Sequence, residues 1–382
     1  MGSGRKDDAD GDLESPDVAR TAGLVYVSDE EPGIRRRQSC KGFSYAGPNG
    51  AKLAAKPALK RIRSLAVPPA WTDVWISPDP NGHIQATGRD ARGRKQYIYH
   101  SGWRELRDST KFEHMLEFAR LLPRIRKRVE KDMRRRSLVR EKVLATVVHL
   151  LETTLIRVGN LDYAEQNRSY GLTTLRDRHA EIDGSELRFE FKGKSGATWR
   201  LRMKDRRIAR LVKQCQDIPG QHLFQHFDGN GVRQPVTSTE VNAYLREISG
   251  ADVTAKDFRT WAGTVLAAAA LVECEEFETD ARAKRNVNAA IKKVAARLGN
   301  TPAICRKCYV HPDLLECYLE GGLSDGLGLS KQAVLGGDLP AIESAVLRLL
   351  RRRLQEQSKQ RRRGQTRRRL TLSEALRESV AA

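Results

Sequence analysis

Tyr309 stands in a stretch, ARLGNTPAICRKCYVHPDLL, that also carries two cysteines three apart and a histidine. Two chemistries are open to these residues. The first is a metal site: Cys305, Cys308, His311 and Cys317 offer three thiols and an imidazole, a set that zinc accepts. All four crowd into one short segment, however, without the long spacer between ligand pairs found in zinc modules, and cysteines three apart are also what one helical turn delivers. The spacing therefore favours free thiols, and no metal is expected.

The second chemistry is phosphoryl transfer. A tyrosine hydroxyl titrates near 10 and is a poor nucleophile unless it lies beside positive charge. Three cations occupy places where a flexible cation is usually avoided. Arg157 follows the apolar run LATVVHLLETTLI and precedes Val158-Gly159. Arg259 falls in the first turn of a helix that begins near Thr254, where the helix dipole disfavours a cation and an anion would offset it. Lys194 lies in a glycine-flanked turn, FKGKSG. Each alone is better explained by an ordinary salt bridge. Together with Tyr309 they make a phosphoryl-transfer set. Two arginines fork onto the non-bridging oxygens of a phosphodiester, and a lysine protonates the strongly basic sugar oxygen as it leaves. Exchanging a phosphodiester for a phosphotyrosine needs neither nucleotide nor cofactor, and the sequence has no G-x-x-x-x-G-K-[ST] loop and no convincing acidic metal cluster.

Composition points to the substrate. The 382 residues hold 69 Lys and Arg against 48 Asp and Glu, a formal charge of +21 that concentrates polyanions, nucleic acid first and an anionic membrane second. No apolar run is long enough to span a bilayer, and the polar start does not read as a signal peptide. Six cysteines without a secretion signal suggest reduced thiols in a cytosol, and with the basic charge the expectation is a cytoplasmic, nucleoid-associated protein.

The elements that must position these side chains fall into four regions. Residues 1–22 are acidic and read as a disordered leader. Residues 23–107 carry short apolar runs broken by Gly and Pro, as in DVWISP and HIQATGRDARGRKQYIYH, and predict a small β-rich domain. Residues 108–330 turn helical: in EKVLATVVHLLETTLIRVGN, Val143, Leu144, Val147, Val148, Leu151 and Leu155 share one face. A hairpin is inserted there, with Leu187, Phe189 and Phe191 on one side, Arg188 and Glu190 on the other, and its turn at Gly193 to Gly196. TAKDFRTWAGTVLAAAALV opens with Thr254 and Asp257 at capping-box spacing. Residues 331–382 form a basic tail that starts as an amphipathic helix after Pro340 and ends in arginine clusters, which either keep the protein soluble or add phosphate contacts. If the tail binds DNA, truncation after Gly328 flattens the salt dependence of binding. The fold class is α+β.

LIRVGN, YGLTTLRDRH, FKGKSG, KDFRTWAGT and LGNTPAICRKCYVHPD resemble, in order, the motifs of type IB DNA topoisomerases of the bacterial, poxvirus-like branch, over roughly residues 23 to 325. The resemblance implies a monomer that closes as a C-shaped clamp on double-stranded DNA. Within it Tyr309 takes the 3′-phosphate of a cut strand, Arg157 and Arg259 bind the scissile phosphate, and Lys194, rather than Lys192, protonates the 5′-oxygen. Asn300 falls where the viral enzymes carry histidine; an amide still donates to a phosphate oxygen but cannot shuttle a proton. GRDARGRKQYIYH is similar to the segment that enters the major groove, which assigns Gln96 and Tyr97 as DNA contacts. The same residues also admit a core-facing strand. Two rivals remain: a tyrosine recombinase, which shares this chemistry but normally has a helical amino-terminal domain, and a non-enzymatic basic DNA-binding protein, which gives Tyr309 no task.

Overall fold

The computed structural model describes residues 16–39, 42–274 and 277–359. Most of the acidic leader (residues 1–15) and the arginine clusters beyond Lys359 lie outside the described residues. The chain divides into two compact units, Met1–Glu113 and His114–Ala382.

The first unit opens with a short helix, α1 (Pro16–Thr21). It falls inside the segment whose composition predicts disorder, and it forms because Ala19 is buried against Leu24 and Trp103. Strands β1 (Ile34–Ser39), β2 (Gly42–Ala46), β3 (Thr72–Ile76), β4 (Ile84–Arg89) and β5 (Lys95–Tyr99) make an antiparallel sheet in the order β2-β1-β3-β4-β5. Period-two alternation gives the sheet two apolar faces. On one, Ile34, Val74, Ile76 and Ala86 pack with Ile62 of helix α2 (Lys56–Ser64). On the other, Val27, Trp75 and Ile84 gather with the half-buried Tyr97 and Tyr99. Helix α3 (Ser101–Met133) starts in this unit and ends in the next.

The second unit is mainly helical, so the whole is α+β. Its centre is α4 (Arg140–Thr154), followed by α5 (Leu161–Asn167). The sequence predicts one apolar face for α4. In fact Ala145, Thr146 and Leu150 are buried as well as the Val143/Leu144/Val147/Val148/Leu151 face, because neighbours cover the helix nearly all round. Strands β6 (Ala180–Asp183), β7 (Glu186–Lys192) and β8 (Thr198–Lys204) form a three-stranded antiparallel sheet; the predicted hairpin is its β7–β8 part, with Leu187, Phe189 and Phe191 buried. Helix α6 (Arg206–Gln216), the small hairpin β9 (Gln225–Phe227) and β10 (Arg233–Pro235), and α7 (Ser238–Ser249) lead to α8 (Ala255–Glu273) and α9 (Asp280–Leu298). The short helices α10 (Pro302–Cys308), α11 (Pro312–Leu319), α12 (Leu323–Leu327) and α13 (Lys331–Leu335) follow, and then α14, residues 339–359.

Helix α14 is not a free tail. Ile342, Ala345, Val346, Leu349 and Leu350 are buried, and Glu343 accepts from Arg126 and from the Trp261 indole. A truncation after Gly328 would strip this face from the unit, so it cannot isolate the contribution of the arginine clusters. No helix among the described residues is long and apolar enough to cross a membrane.

Candidate active site

Four of the candidate side chains meet at helix ends. Helix α4 stops at Leu155, whose left-handed backbone (φ 59°) turns its carbonyl out of the helix. The loop that follows carries Arg157 and is clamped from outside. Leu172 N–H donates to the Arg157 carbonyl (2.9 Å) and Thr173 N–H to that of Val158 (2.7 Å). A Cβ at Gly171 would lie 2.6 Å from the Arg157 oxygen, so only glycine lets these two strands of chain touch.

Helix α9 ends in a glycine cap. Gly299 is left-handed (φ 59°) and its N–H returns to Ala295 and Ala296. Asn300 follows, and Thr301 and Pro302 start α10 as its N-cap and first residue. The GNTP sequence is thus a stop and a start fused together, which holds the Asn300 side chain at a tight corner. Arg157 Nη2 donates to Asn300 Oδ1 and, at 3.3 Å, to the Gly299 carbonyl.

Arg259 is 4% exposed. Its helix begins in a capping arrangement in which Asp257 accepts from the Thr254 N–H (2.8 Å) and hydroxyl (2.9 Å). One Arg259 nitrogen donates to the Leu155 carbonyl and the other to the Leu298 carbonyl at 2.7 Å. These are the carboxyl ends of α4 and α9, the negative ends of two helix dipoles. The sequence places this cation in the first turn of its helix; it is the fifth residue of α8, and these two termini offset its charge. Burial, then the neighbouring charge of Arg157, pulls the Arg259 guanidinium down to about 10, while Tyr309 draws it back up; it remains cationic at neutral pH. Burial also lowers Arg157 from its ordinary value.

Tyr309 caps the carboxyl end of α10, its N–H bonded to Cys305 (2.9 Å). Its half-buried ring has the Arg259 guanidinium carbon 5.4 Å from its centroid. Helix α8 holds the tyrosine from behind. The Thr264 hydroxyl donates to the Tyr309 carbonyl (3.3 Å) and accepts from the His311 N–H (3.1 Å). A Cβ on Gly263, one turn after Arg259, would lie 2.5 Å from the Tyr309 oxygen. Two buried donors in the cluster, Arg259 Nε and Asn300 Nδ2, find no hydrogen-bond partner among the described residues. A buried unsatisfied donor costs roughly 1–3 kcal/mol, and a phosphate oxygen would satisfy either one.

Lys194 is exposed, in the tight turn between β7 and β8. That turn reaches the cluster through Trp199, which meets both Gly193 and Gly299. Cys305 is fully buried, and burial pushes its thiol up to about 11; His311 spends Nδ1 on the Asp313 N–H (3.1 Å). Among the described residues no three His, Cys, Asp or Glu side chains converge as metal ligands would.

Gln96 and Tyr97 belong to the first unit, on the edge strand β5. The Gln96 amide nitrogen donates to Asp90 (3.0 Å), so reading a base through both amide atoms requires that bond to open. The Tyr97 ring is stacked with Tyr99 at 5.8 Å, has the Lys95 ammonium 5.5 Å from its centroid, and packs beside Trp75. Strand β5 is therefore half turned to the core, with its polar side chains already engaged within the unit. Sequence reasoning missed Gly171, Gly263, Thr264 and Trp199. A glycine inside an apolar helix run, TWAGT, was the available signal for Gly263.

Comparison with known proteins bears on the whole arrangement. Residues 100–320 match the family model described as eukaryotic DNA topoisomerase I, catalytic core. Residues 42–90 match that of the bacterial DNA topoisomerase IB N-terminal domain. The chain is 32% identical over 293 residues to DNA topoisomerase 1B of Acanthamoeba polyphaga mimivirus, covering 75% of this chain and 87% of that one. It is 24% identical over 275 residues to DNA topoisomerase 1B of vaccinia virus (strain Copenhagen), covering 68% and 82%.

Proposed function

The chain belongs to the type IB DNA topoisomerases, and from that premise we propose that it relaxes supercoiled duplex DNA through a 3′-phosphotyrosyl link at Tyr309. The observation that carries this reading is one cluster at the ends of α4, α9 and α10, in which Arg259 lies over the Tyr309 ring and is held by the last carbonyl of α9, while Arg157 is bonded to Asn300 just beyond that helix. In the reading, the scissile phosphate lies against Arg157 and the two buried donors, Arg259 Nε and Asn300 Nδ2. These groups stabilise the charge that builds on the non-bridging oxygens.

The Tyr309 oxygen attacks phosphorus, its proton passing to solvent, while the bond to the 5′-oxygen breaks and that oxygen takes a proton from Lys194. One phosphate ester replaces another, so the step is near balance and reverses for religation without nucleotide or metal. Between the two steps the free 5′-OH end rotates about the intact strand. The reading takes the protein as a monomer whose two units grip the duplex from opposite sides, with Gln96 and Tyr97 facing the major groove.

The test is relaxation of a negatively supercoiled plasmid in excess EDTA without nucleotide, with wild type and Tyr309→Phe side by side. The reading requires wild type to relax the plasmid and the variant to bind it without relaxing it. Relaxation by both would remove Tyr309 from the chemistry, and strands joined between two separate DNAs would favour a recombinase.

A further inference from the structure

Trp199 sits where two glycines of the site meet. A Cβ at Gly193, the residue before Lys194, would lie 2.7 Å from the Trp199 Cδ1 and Nε1 atoms. A Cβ at Gly299, the residue before Asn300, would lie 2.6 Å from its Cζ2. The indole is therefore held edge to edge between two stretches of bare backbone, and no side chain on either glycine would fit. Its third neighbour is Phe191 of β7, stacked parallel at 6.2 Å and an interplanar angle of 5°.

Each contact ends at a group that the phosphoryl-transfer reading uses. Gly193 and Ala197 close the turn that presents Lys194, through the Gly193 N–H to Ala197 carbonyl bond (2.8 Å). The Gly299 carbonyl is one of the two acceptors that orient Arg157, and the next residue, Asn300, supplies the other. A lysine on an exposed turn has four rotatable bonds and a mobile base beneath it, which is poor placement for an acid that must meet one oxygen atom. Near the tip of the hairpin, Trp199 is the rigid, two-torsion side chain that fixes the turn against the cap of α9.

We infer that Trp199 is the positioning residue that registers the Lys194 turn to the Arg157–Asn300 corner, so that the general acid reaches the departing 5′-oxygen. The inference rests on the reading of Lys194 as that acid. It makes Trp199 act through Lys194, without itself touching the DNA.

A change of leaving group tests it. In a duplex with a mapped cleavage site, replacing the bridging 5′-oxygen of the scissile phosphate by sulfur gives a thiolate leaving group. A thiol titrates near 8.5 and departs without a proton, so the need for the acid disappears. Single-turnover cleavage is measured on the oxygen and sulfur substrates for wild type, Lys194→Ala, Trp199→Ala, Trp199→Phe and Gly193→Ala. Lys194→Ala should lose about 10²-fold or more on oxygen and recover on sulfur. Trp199→Ala should lose about 10- to 100-fold on oxygen and recover on sulfur too, with Trp199→Phe close to wild type. Gly193→Ala keeps the indole but pushes the turn off it, and should show the same selective recovery even if Trp199→Ala folds poorly. Equal losses on both substrates for Trp199→Ala and Gly193→Ala, with Lys194→Ala rescued, would overturn the positioning role alone. Failure of sulfur to rescue Lys194→Ala would overturn the general-acid reading and this inference with it.

Discussion

Gly263→Ala adds one methyl group to the back of the proposed active site and removes no reactive side chain. Its Cβ would lie 2.5 Å from the Tyr309 carbonyl oxygen and 2.9 Å from the Tyr309 Cβ. Ordinary contact needs about 3.4 Å or more, so the tyrosine segment must retreat by roughly 0.9 Å. The obstruction is backbone, held by Thr264 and by the bond from the Tyr309 N–H to Cys305, so no flexible side chain can swing aside. Alanine gains about 1 kcal/mol over glycine in a helix interior, while overpacking costs typically about 1–3 kcal/mol, so net stability should fall by no more than about 2 kcal/mol. Chemistry is more sensitive: a displacement near 1 Å costs on the order of 10²-fold in rate. The expected result in single-turnover cleavage is a loss of about 10²-fold with DNA affinity unchanged. Cleavage within threefold of wild type, in a variant of normal stability, would refute the claim that α8 sets the position of Tyr309.

Three further outcomes follow from the same geometry. Asn300→Ala removes an acceptor from Arg157 and a donor from the phosphate, and should slow cleavage about 10²-fold; Asn300→His restores a donor and should recover part of that loss, as rates on one substrate will show. Burial, then the charges of Arg178 and Arg176, holds His179 down to about 4, and its Nδ1 accepts the Arg176 N–H (3.0 Å). The unfolded imidazole titrates near 6.5, so only the unfolded state gains the proton between those values: stability is full above about pH 6.5 and falls toward pH 4. Thermal melts should show this slope, and His179→Asn, which keeps an acceptor, should make it shallower. Finally, a chain ending at Lys359 keeps α14 but omits the six arginines at 361–363 and 367–369. If they neutralise phosphates, its log–log salt slope for DNA binding should drop by about 0.9 for each phosphate that is no longer neutralised, and an unchanged slope would assign them no such role.

Much of the site was legible because its parts obey local rules. LGNTP reads as a helix stop followed by a helix start, and Asn300 sits at that corner. Thr254 and Asp257 announce the start of α8, which fixes where Arg259 emerges. The β7 alternation of Leu187, Phe189 and Phe191 put the Lys194 turn at the end of a hairpin. What was not legible depends on packing between distant segments. That Arg259 is offset by the carbonyls of Leu155 and Leu298 follows from how α4 and α9 end beside α8. That Trp199 lies on Gly299 requires knowing that a hairpin tip meets a helix cap a hundred residues later in the chain. The amphipathic start of α14 was legible, but not that its stripe of Ile342, Val346, Leu349 and Leu350 docks on the helical unit, because the arginines around it read as a solvated tail. Gln96 shows the converse limit, since one hydrogen bond to Asp90 ties up an amide that composition alone leaves free to read a base.

The central claim is that Tyr309 and no other residue becomes joined to the 3′ end of a cut strand. Trapping cleavage on a duplex whose short downstream piece diffuses away, then digesting the adduct and sequencing it by mass spectrometry, tests this directly. The account predicts a nucleotide carrying its 3′-phosphate on the tyrosine of the peptide that contains Cys308-Tyr309-Val310. An adduct on a different residue, or on the 5′ end of the cut strand, would contradict it.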